Sequence, residues 1–415
     1  MAARIPIAAF ATALIATLSP SFSDTRLNLT GKVTDGAGKP LDHATVIVYH
    51  AGVKHGYSTF CPSCYTDCGK RTLTDASGNF TIPGLSVDLY FELLVVHDGY
   101  LPVFMKKVDA ARAAPVAVLQ PRGTLTDDPG RVVRGVVIDK DRNPVPDAVV
   151  EPQGILRPDV NAIYGVVPGL ERVAVTNDKG EFELAHAEPF QAMVLEVEAR
   201  GMAPAIFTSL ATGLDRHTLV VTEGATVRGR LIENGKPVAN GEIGLMARQH
   251  GWAANLALVG YPLPEIRIGT SDDGTFAISN VPPSVDWYLY GKMQSLARLG
   301  GAPIVEVATK GDGMDINVGD LSLQPAFHLR GKVALSDGKP IPPGMTMMIA
   351  SDRAFDVQFT PLRPDGSFEF SGLAKGGYSL NAAVRGYGLK SSLIGDVPVK
   401  IAGDMNDFAM TLDPR

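Results

Sequence analysis

The chain has 415 residues and a net charge of −6 at pH 7, with 45% hydrophobic and 20% charged residues. This composition is typical of a globular protein and excludes a disordered chain. Because the sequence contains no strongly basic run or patch, it also argues against a nucleic-acid partner.

The N-terminus has the pattern of a signal peptide over residues 1–23. Arg4 is its only charged residue, residues 5–18 are apolar and rich in small side chains, and Ser21-Phe22-Ser23 offers a small-x-small cleavage site. An apolar run of about 14 residues is shorter than the roughly 20 that cross a bilayer. The sequence therefore predicts an exported protein, periplasmic, cell-surface or extracellular, that is not an integral membrane protein after cleavage.

One pattern occurs four times at intervals of about 100 residues. Each copy opens on a strand that contains Gly, has a Pro about ten residues later and a short hydrophobic strand, and then a turn of the form x-x-Gly-x-Phe. The opening glycines are Gly31, Gly135, Gly229 and Gly331, and the phenylalanines are Phe80, Phe182, Phe276 and Phe368. A period of this length indicates a string of similar small domains rather than one large enzyme.

The elements of the first copy set the order for the others. They are a strand at 29–33, a turn at 35–40, a β-branched strand at 44–49, a strand from Phe80, an apolar strand at 89–97 and a closing strand at 116–119. The other closing strands are 218–221, 321–323 and 408–412. Short strands with frequent turn signals are typical of an all-β sandwich, with each Phe filling the core between two sheets.

The predicted fold is therefore all-β, with four tandem Ig-like or transthyretin-like β-sandwich domains after the signal peptide. The predicted domains are residues 24–125, which include a Cys-rich loop, 126–223, 224–325 and a divergent 326–415. We expect them to form an elongated rod.

The order Gly-x-Val, Gly-x-Pro, Ala-x-Val and Thr-x-x-x-Gly-x-Phe resembles the carboxypeptidase regulatory-like domain. That family is related to transthyretin-like and carbohydrate-binding-like sandwiches. The first copy matches the pattern best, at 31–33, 38–41, 44–46 and 74–80, and the fourth keeps only its ends. The resemblance implies a sandwich that serves as an accessory, adhesive or binding module.

No catalytic motif accompanies these domains. Metallocarboxypeptidases of the kind that carry this domain bind zinc through His-x-x-Glu and a later His, but none of the eight histidines has Glu three residues on. Gly-x-Ser-x-Gly, phosphate-loop and dinucleotide motifs are also absent from the sequence. We expect a non-enzymatic protein with no required cofactor.

All three cysteines, Cys61, Cys64 and Cys68, fall within eight residues of one loop. An oxidising compartment favours one disulfide plus a leftover thiol. Alternatively, three thiolates with His55 or His50 make a Cys₃His set for zinc or another metal. A redox role for Cys61-x-x-Cys64 is the third alternative, although the thioredoxin context is missing.

Long loops at this position in the first three copies carry aromatic residues, which are Tyr57, Tyr164, Trp252 and Tyr261. Aromatic side chains on loops of a rigid scaffold favour a ligand platform, whereas packing over their own domain is the plain alternative. The sequence thus predicts a non-catalytic binding or interaction protein with a carbohydrate or protein partner. A metal or thiol-redox protein and a purely structural surface spacer are the alternatives.

Overall fold

The computed structural model describes residues 25–123, 128–157, 163–248, 265–354, 356–389 and 397–415. The predicted signal peptide at 1–23 lies outside these residues. Nearly all regular structure is β, as the sequence predicted, and it forms a series of two-sheet sandwiches of one topology.

The first sandwich consists of seven strands in two sheets. Its opening sheet, in spatial order, contains β4, β1 and β7, and its facing sheet contains β3, β2, β5 and β6. The strands are β1 Arg26–Asp35, β2 Thr45–Val53, β3 Arg71–Leu73, β4 Asn79–Ser86, β5 Leu89–Val96, β6 Val103–Val108 and β7 Val116–Leu119. The closing strand β7 runs parallel to β1, while β4 is antiparallel to it.

The second sandwich repeats this order after a short 3₁₀ turn at Pro129–Arg131. Its strands are β8 Val132–Ile138, β9 Val149–Leu156, β10 Ile163–Tyr164, β11 Ala174–Val175, β12 Glu181–Ala185, β13 Ala192–Glu198, β14 Ala205–Ala211 and β15 Arg216–Val220. The opening sheet is β12-β8-β15, and the facing sheet runs through β9, β13 and β14.

The third and fourth sandwiches also pair the opening strand in parallel with the closing strand. The third contains β16 Ala225–Glu233, β17 Lys236–Pro237, β18 Glu242–Ala247, β19 Glu265–Gly269, β20 Thr275–Val281, β21 Val285–Gly291, α1 Met293–Leu296, β22 Val305–Thr309 and β23 Asp315–Ser322. The fourth contains β24 Phe327–Leu335, β25 Thr346–Ser351, β26 Val357–Pro361, β27 Ser367–Leu373, β28 Gly376–Ala383, β29 Tyr387–Gly388, β30 Val397–Ile401 and β31 Met405–Pro414.

The Gly and the Phe of the repeated pattern are cross-strand partners in every copy. The pairs are Gly31 with Phe80, Gly135 with Phe182, Gly229 with Phe276 and Gly331 with Phe368. A Cβ atom on Gly31 would lie 2.5 Å from Phe80 Cε1, so the ring occupies the space over the glycine. The ring thereby stays buried in the core, and the pair sets the register of the two strands.

The Gly of the turn has a separate role. Gly78 has a φ of 74°, which an L side chain rarely adopts, and its carbonyl accepts a hydrogen bond of 2.8 Å from the Val33 N–H. The same bond joins Val137 to Gly180, Leu231 to Gly274 and Val333 to Gly366. The turn is therefore bonded to the opening strand in all four sandwiches.

In the first three sandwiches a buried Thr just before this turn is hydrogen-bonded to the segment that leads into the second strand. Thr74 Oγ1 donates to the Leu41 carbonyl at 2.6 Å and accepts from the Ala44 N–H at 2.8 Å. Thr176 and Thr270 make the same two bonds. In the fourth sandwich the buried residue before its turn is Leu362, which is why the sequence pattern weakens there.

The first two sandwiches pack through their facing sheets. Ile47 and Leu94 of the first and Val149 of the second are buried together, with Tyr49 and Phe104 packed beside them. Both faces of β5 are consequently covered, which accounts for its nearly continuous apolar sequence.

The third and fourth sandwiches share core residues. Met293 of α1 lies in the hydrophobic cluster of the fourth, and its N–H donates to Asp356 Oδ2 at 2.7 Å. Lys292 is buried, with its Nζ 3.0 Å from Glu265 Oε1 and 3.2 Å from Asp356 Oδ1. Burial raises the pKa of Asp356.

The first three sandwiches do not form the expected elongated rod. Tyr57 of the first donates its N–H to Asn240 Oδ1 of the third at 3.2 Å, across 183 residues of sequence. A rod would separate these domains by the length of the second.

In the part of the chain that the structure describes, no helix has the length and apolar character to cross a membrane.

We predict that Gly31→Ala destabilises the first sandwich by about 1–3 kcal/mol, because the new Cβ overlaps the Phe80 ring and lies 2.8 Å from the Pro115 carbonyl. The change in unfolding temperature is measured by scanning calorimetry. Gly52→Ala is the matched control, since Gly52 lies in β2 with nothing within 4 Å of its Cβ position. Equal effects of the two variants would contradict the packing role of the pair.

Candidate functional site: the cysteine loop and the cleft beside it

The loop between β2 and β3, residues 54–70, carries all three cysteines. Cys61 and Cys64 form a disulfide with a Cα–Cα distance of 5.1 Å, and Cys68 is a free thiol that is 2% exposed. The predicted disulfide is therefore present, and the structure identifies its partners.

Pro62 anchors the loop to its own sandwich. Its carbonyl accepts a bond from the Ala51 N–H at 2.8 Å, and the Cys68 Sγ lies 3.3 Å from the same oxygen. Burial raises the pKa of the Cys68 thiol to about 11, so this cysteine stays protonated near neutral pH.

The aromatic residues of the loop divide between core and surface. Tyr65 is buried, and its hydroxyl shares a hydrogen bond with the Ser58 hydroxyl. The Phe60 ring stands 5.4 Å from the Tyr65 ring, edge to face, and is 49% exposed. An exposed phenylalanine held in place by a buried tyrosine is a rigid apolar feature at the surface.

The loop docks on the edge strand β19 of the third sandwich. The Gly269 N–H donates to the Ser58 carbonyl, next to the bond from Tyr57 to Asn240. A Cβ atom on Gly269 would lie 2.7 Å from Tyr57 Cβ, so a side chain there is incompatible with this contact. Two bonds and one close approach thus join the first sandwich to the third.

Asn280 of the third sandwich is hydrogen-bonded to the second sandwich at the same junction. Its Nδ2 donates to the Gly201 and Glu223 carbonyls, at 2.9 and 2.8 Å, and its Oδ1 lies 3.9 Å from Cys64 Sγ. The disulfide therefore sits where three domains meet.

A cleft of about 1300 Å³ opens beside this junction. Cys61 and Pro62 line it from the first sandwich, Ile206 and Val220 from the second, and Ile266 from the third. Val220 is 46% exposed and Ile206 is half-buried, so the wall of the second sandwich presents apolar side chains to solvent.

Charged residues of the cleft from the first two sandwiches contact one another. Glu198 accepts a bond of 3.5 Å from the Tyr49 hydroxyl, and His50 Nε2 lies 3.9 Å from its Oε2. His50 Nδ1 also lies 3.4 Å from Glu92 Oε2. Burial, followed by the charge of Glu198, raises the pKa of Tyr49.

Glu265 is the carboxylate that the third sandwich contributes to the cleft. Burial alone would raise its pKa, but hydrogen bonds from Arg267, Tyr290 and Lys292 outweigh that effect and lower it. Arg267 Nη2 donates at 2.7 Å and Lys292 Nζ at 3.0 Å. The carboxylates of Glu198 and Glu265 are therefore both engaged by neighbouring donors.

A second, shallower groove of about 600 Å³ lies on the other side of the loop. Phe60 lines it from the first sandwich, and Gly229, Ala277 and Gly319 line it from the third. Arg230 and Asp320, joined by two bonds of 2.8 and 3.0 Å, border it.

The remaining predicted site residues are placed as follows. His55 is exposed and Tyr57 is half-buried at the docking contact. Tyr164 lies in β10, with its side chain outside the described part of the structure, and Trp252 and Tyr261 lie outside the described residues altogether. Within the described ranges, no three His, Cys, Asp or Glu side chains are grouped to hold a metal ion.

Sequence reasoning missed Phe60, Asn240, Gly269 and Asn280. Phe60 carried a signal, since it is an aromatic residue immediately before Cys61 in the loop already singled out. The two asparagines and Gly269 had none, because their roles depend on contacts with residues more than 50 positions away.

The chain is similar to several solved structures. The Bacillus anthracis TIE protein is 10% identical over 96% of this chain and 76% of that chain, with a TM-score of 0.20. The minor pilin GBS52 of Streptococcus agalactiae is 13% identical over 46% of this chain and 96% of that chain, with a TM-score of 0.23. A streptococcal ancillary pilin is 11% identical over 68% and 99%, also with a TM-score of 0.23.

No protein-family model matches the chain, and no curated protein matches it. TM-scores of this size transfer neither a ligand nor an assembly to this protein.

We predict that Gly269→Ala separates the first sandwich from the third, because its Cβ displaces Tyr57 from β19. Small-angle X-ray scattering should show a larger radius of gyration than for the unchanged protein. Gly311→Ala is the control, since nothing lies within 4 Å of its Cβ position. An unchanged scattering curve for Gly269→Ala would contradict the docking contact.

We predict that Glu92 contributes acid-sensitive stability. Its hydrogen bond to His50, assisted by Lys106, holds the pKa of Glu92 below its usual value. A carboxylate with a depressed folded-state pKa stabilises the fold above its unfolded pKa of about 4.3, and this stability is lost as pH falls through the lower folded value.

Glu92→Gln should therefore lower the free energy of unfolding at pH 7, and its difference from the unchanged protein should shrink below about pH 4. Denaturant unfolding at a series of pH values measures this. Glu188→Gln, whose parent side chain is 68% exposed, is the control. A difference that is constant with pH would disprove the assignment.

Proposed function

We propose that this protein is an exported, non-catalytic binding protein that holds a segment of another polypeptide in the cleft beside the cysteine loop. The observation that carries the proposal is the lining of this cleft, in which the apolar side chains of Ile206 and Val220 occur together with charged groups of both signs. Such a mixture is typical of surfaces that bind proteins.

The size of the cleft supports a polypeptide. Pockets for small molecules usually measure about 300–1,000 Å³, and the cleft measures about 1300 Å³. Its described aromatic residues, Tyr49 and Trp287, are half-buried and buried respectively. The described lining therefore offers no exposed ring on which a sugar would stack.

The charged residues support binding without catalysis. Glu198 and Glu265 are held by neighbouring donors. A general acid, general base or nucleophile needs a free position facing the substrate. These groups are better suited to shaping the cleft.

The disulfide supports an exported destination, since such bonds persist in oxidising compartments. Membership of the carboxypeptidase regulatory-like family is part of the same proposal, because modules of that kind accompany binding and adhesion rather than supply chemistry. A surface or periplasmic location is likewise proposed on these grounds.

A carbohydrate is the second candidate ligand, and a different observation favours it. The groove at Phe60 combines an exposed aromatic ring with the planar polar groups of Arg230 and Asp320. Stacking on a ring, together with bidentate hydrogen bonds, suits a sugar.

We predict that peptides selected from a phage-displayed random library bind the full-length protein in the cleft. Ile206→Asp and Val220→Asp should each weaken a selected peptide by about tenfold or more, because each places an unpaired charge on the apolar wall. Fluorescence anisotropy measures the affinity. Phe359→Asp, on a side chain that is 58% exposed in the fourth sandwich, is the matched control.

The carbohydrate alternative is tested on the same proteins with cello- and chito-oligosaccharides in isothermal titration calorimetry. Loss of oligosaccharide binding in Phe60→Ala, with Ile206→Asp unaffected, would place the ligand in the groove and overturn the polypeptide proposal. Failure of the library to yield any peptide sensitive to the cleft variants would overturn it as well.

A further inference from the structure

The contact between the first and third sandwiches is made by a loop that contains a disulfide. Two residues separate the docking residues Tyr57 and Ser58 from the Cys61–Cys64 ring, and Cys64 lies against Asn280. The ring therefore helps to position the contact, together with the hydrogen bond between the Ser58 hydroxyl and the buried Tyr65.

Within the ring, few bonds other than the disulfide hold its shape. The Cys64 N–H donates to the Cys61 carbonyl at 3.0 Å, which is a single turn bond, and Ser63 Oγ lies 3.6 Å from Cys61 Sγ. The Pro62 carbonyl bonds to Ala51, but it fixes only the middle of the ring. The disulfide is the bond that closes it.

The hydrophobic core of the first sandwich does not depend on this disulfide. Its cluster includes Tyr65 and Cys68 from the loop but neither Cys61 nor Cys64. Breaking the bond would therefore loosen the docking segment and leave the sandwich folded.

The disulfide is also open to an external reagent. Cys64 is exposed and Cys61 borders the cleft, whereas Cys68 is buried and bonded to the Pro62 carbonyl. Because Cys68 is a protected thiol, it does not exchange with the pair, and the redox state of the pair is set from outside.

We propose that the Cys61–Cys64 disulfide is a redox latch, which holds the first sandwich on β19 of the third when oxidised and releases it when reduced by a dithiol. Control of ligand binding by this latch rests on the function proposed for the cleft. The latch itself rests only on the contacts of the loop.

The chemical step is thiol–disulfide exchange. A thiolate of the dithiol attacks the exposed Cys64 Sγ, the Cys61–Cys64 bond breaks, and Cys61 leaves as a thiolate that takes up a proton. The second thiolate of the reagent then attacks the mixed disulfide and releases Cys64. Two electrons pass to the protein, which gains two thiols, and the reagent becomes a disulfide.

The test is hydrogen exchange on the full-length protein, oxidised, reduced with dithiothreitol, and as the Cys61→Ser/Cys64→Ser double variant. The reporter is the Gly269 amide, which donates to the Ser58 carbonyl. Reduction and the double variant should each speed its exchange by about tenfold or more, because the bond to the loop is lost. Asn240→Ala, with the disulfide intact, should have the same direction of effect.

Two amides serve as internal controls. The Val33 N–H reports on the first sandwich through its bond to Gly78, and the Val333 N–H reports on the fourth through its bond to Gly366. Both should be unchanged by reduction. Equal exchange of Gly269 in all redox states would overturn the latch. Faster exchange of Val33 would overturn it too, since the disulfide would then be a staple of the first sandwich.

Affinity for a cleft-selected peptide is measured in parallel. If reduction speeds the exchange of Gly269 but leaves the peptide affinity unchanged, the redox latch stands. The claim that the latch controls binding in the cleft is then wrong. Weaker affinity in the reduced protein, together with faster Gly269 exchange, supports both.

Discussion

Every sandwich of this protein depends on one cross-strand pair, in which a phenylalanine ring covers a glycine. Only glycine leaves room for the ring against the opposite strand, and only a ring of this size fills the space that the missing side chain leaves. The pair aligns the opening strand with the strand after the turn, and the turn glycine is then bonded to the opening strand two residues beyond the paired glycine. The closing strand completes the sheet in parallel.

Because the scaffold is the same each time, the differences between the domains lie at sheet edges and in loops. The edge strands β6 and β14 each contain a residue with positive φ, Lys107 and Ser209, and such irregular edges resist pairing with other strands. The edge of β19 is instead covered by the cysteine loop. One sheet edge is thus used to join two domains that are not neighbours in the chain.

This joint places the disulfide at a contact between domains. Cys61 and Cys64 stand outside the core of their own sandwich, at a place where the second and third sandwiches also arrive. The cleft beside them takes its walls from three domains, so its shape depends on contacts between domains as well as within them. A cleft formed in this way changes shape when the contacts between domains change.

The sequence by itself determined the all-β class and the repeated sandwich, because these depend on local features, and it offered a disulfide as one of three roles for the cysteines. The positive φ at Gly78, the alternation of the strands and the close spacing of three cysteines are each visible within a short segment. The Gly31–Phe80 pair was visible as a recurring pattern, although its physical meaning required the register of β1 and β4.

Only the tertiary structure decided how the domains meet. In place of an elongated rod it showed a junction at which Tyr57 contacts Asn240, and it assigned the disulfide to Cys61 and Cys64 with Cys68 left as a buried free thiol. It also showed that the absence of a side chain at Gly269 leaves room for Tyr57 of another domain. Contacts of this kind join residues that are far apart in sequence and share no periodic pattern, so they cannot be predicted from a local segment. They depend on the shapes of two surfaces that have already folded.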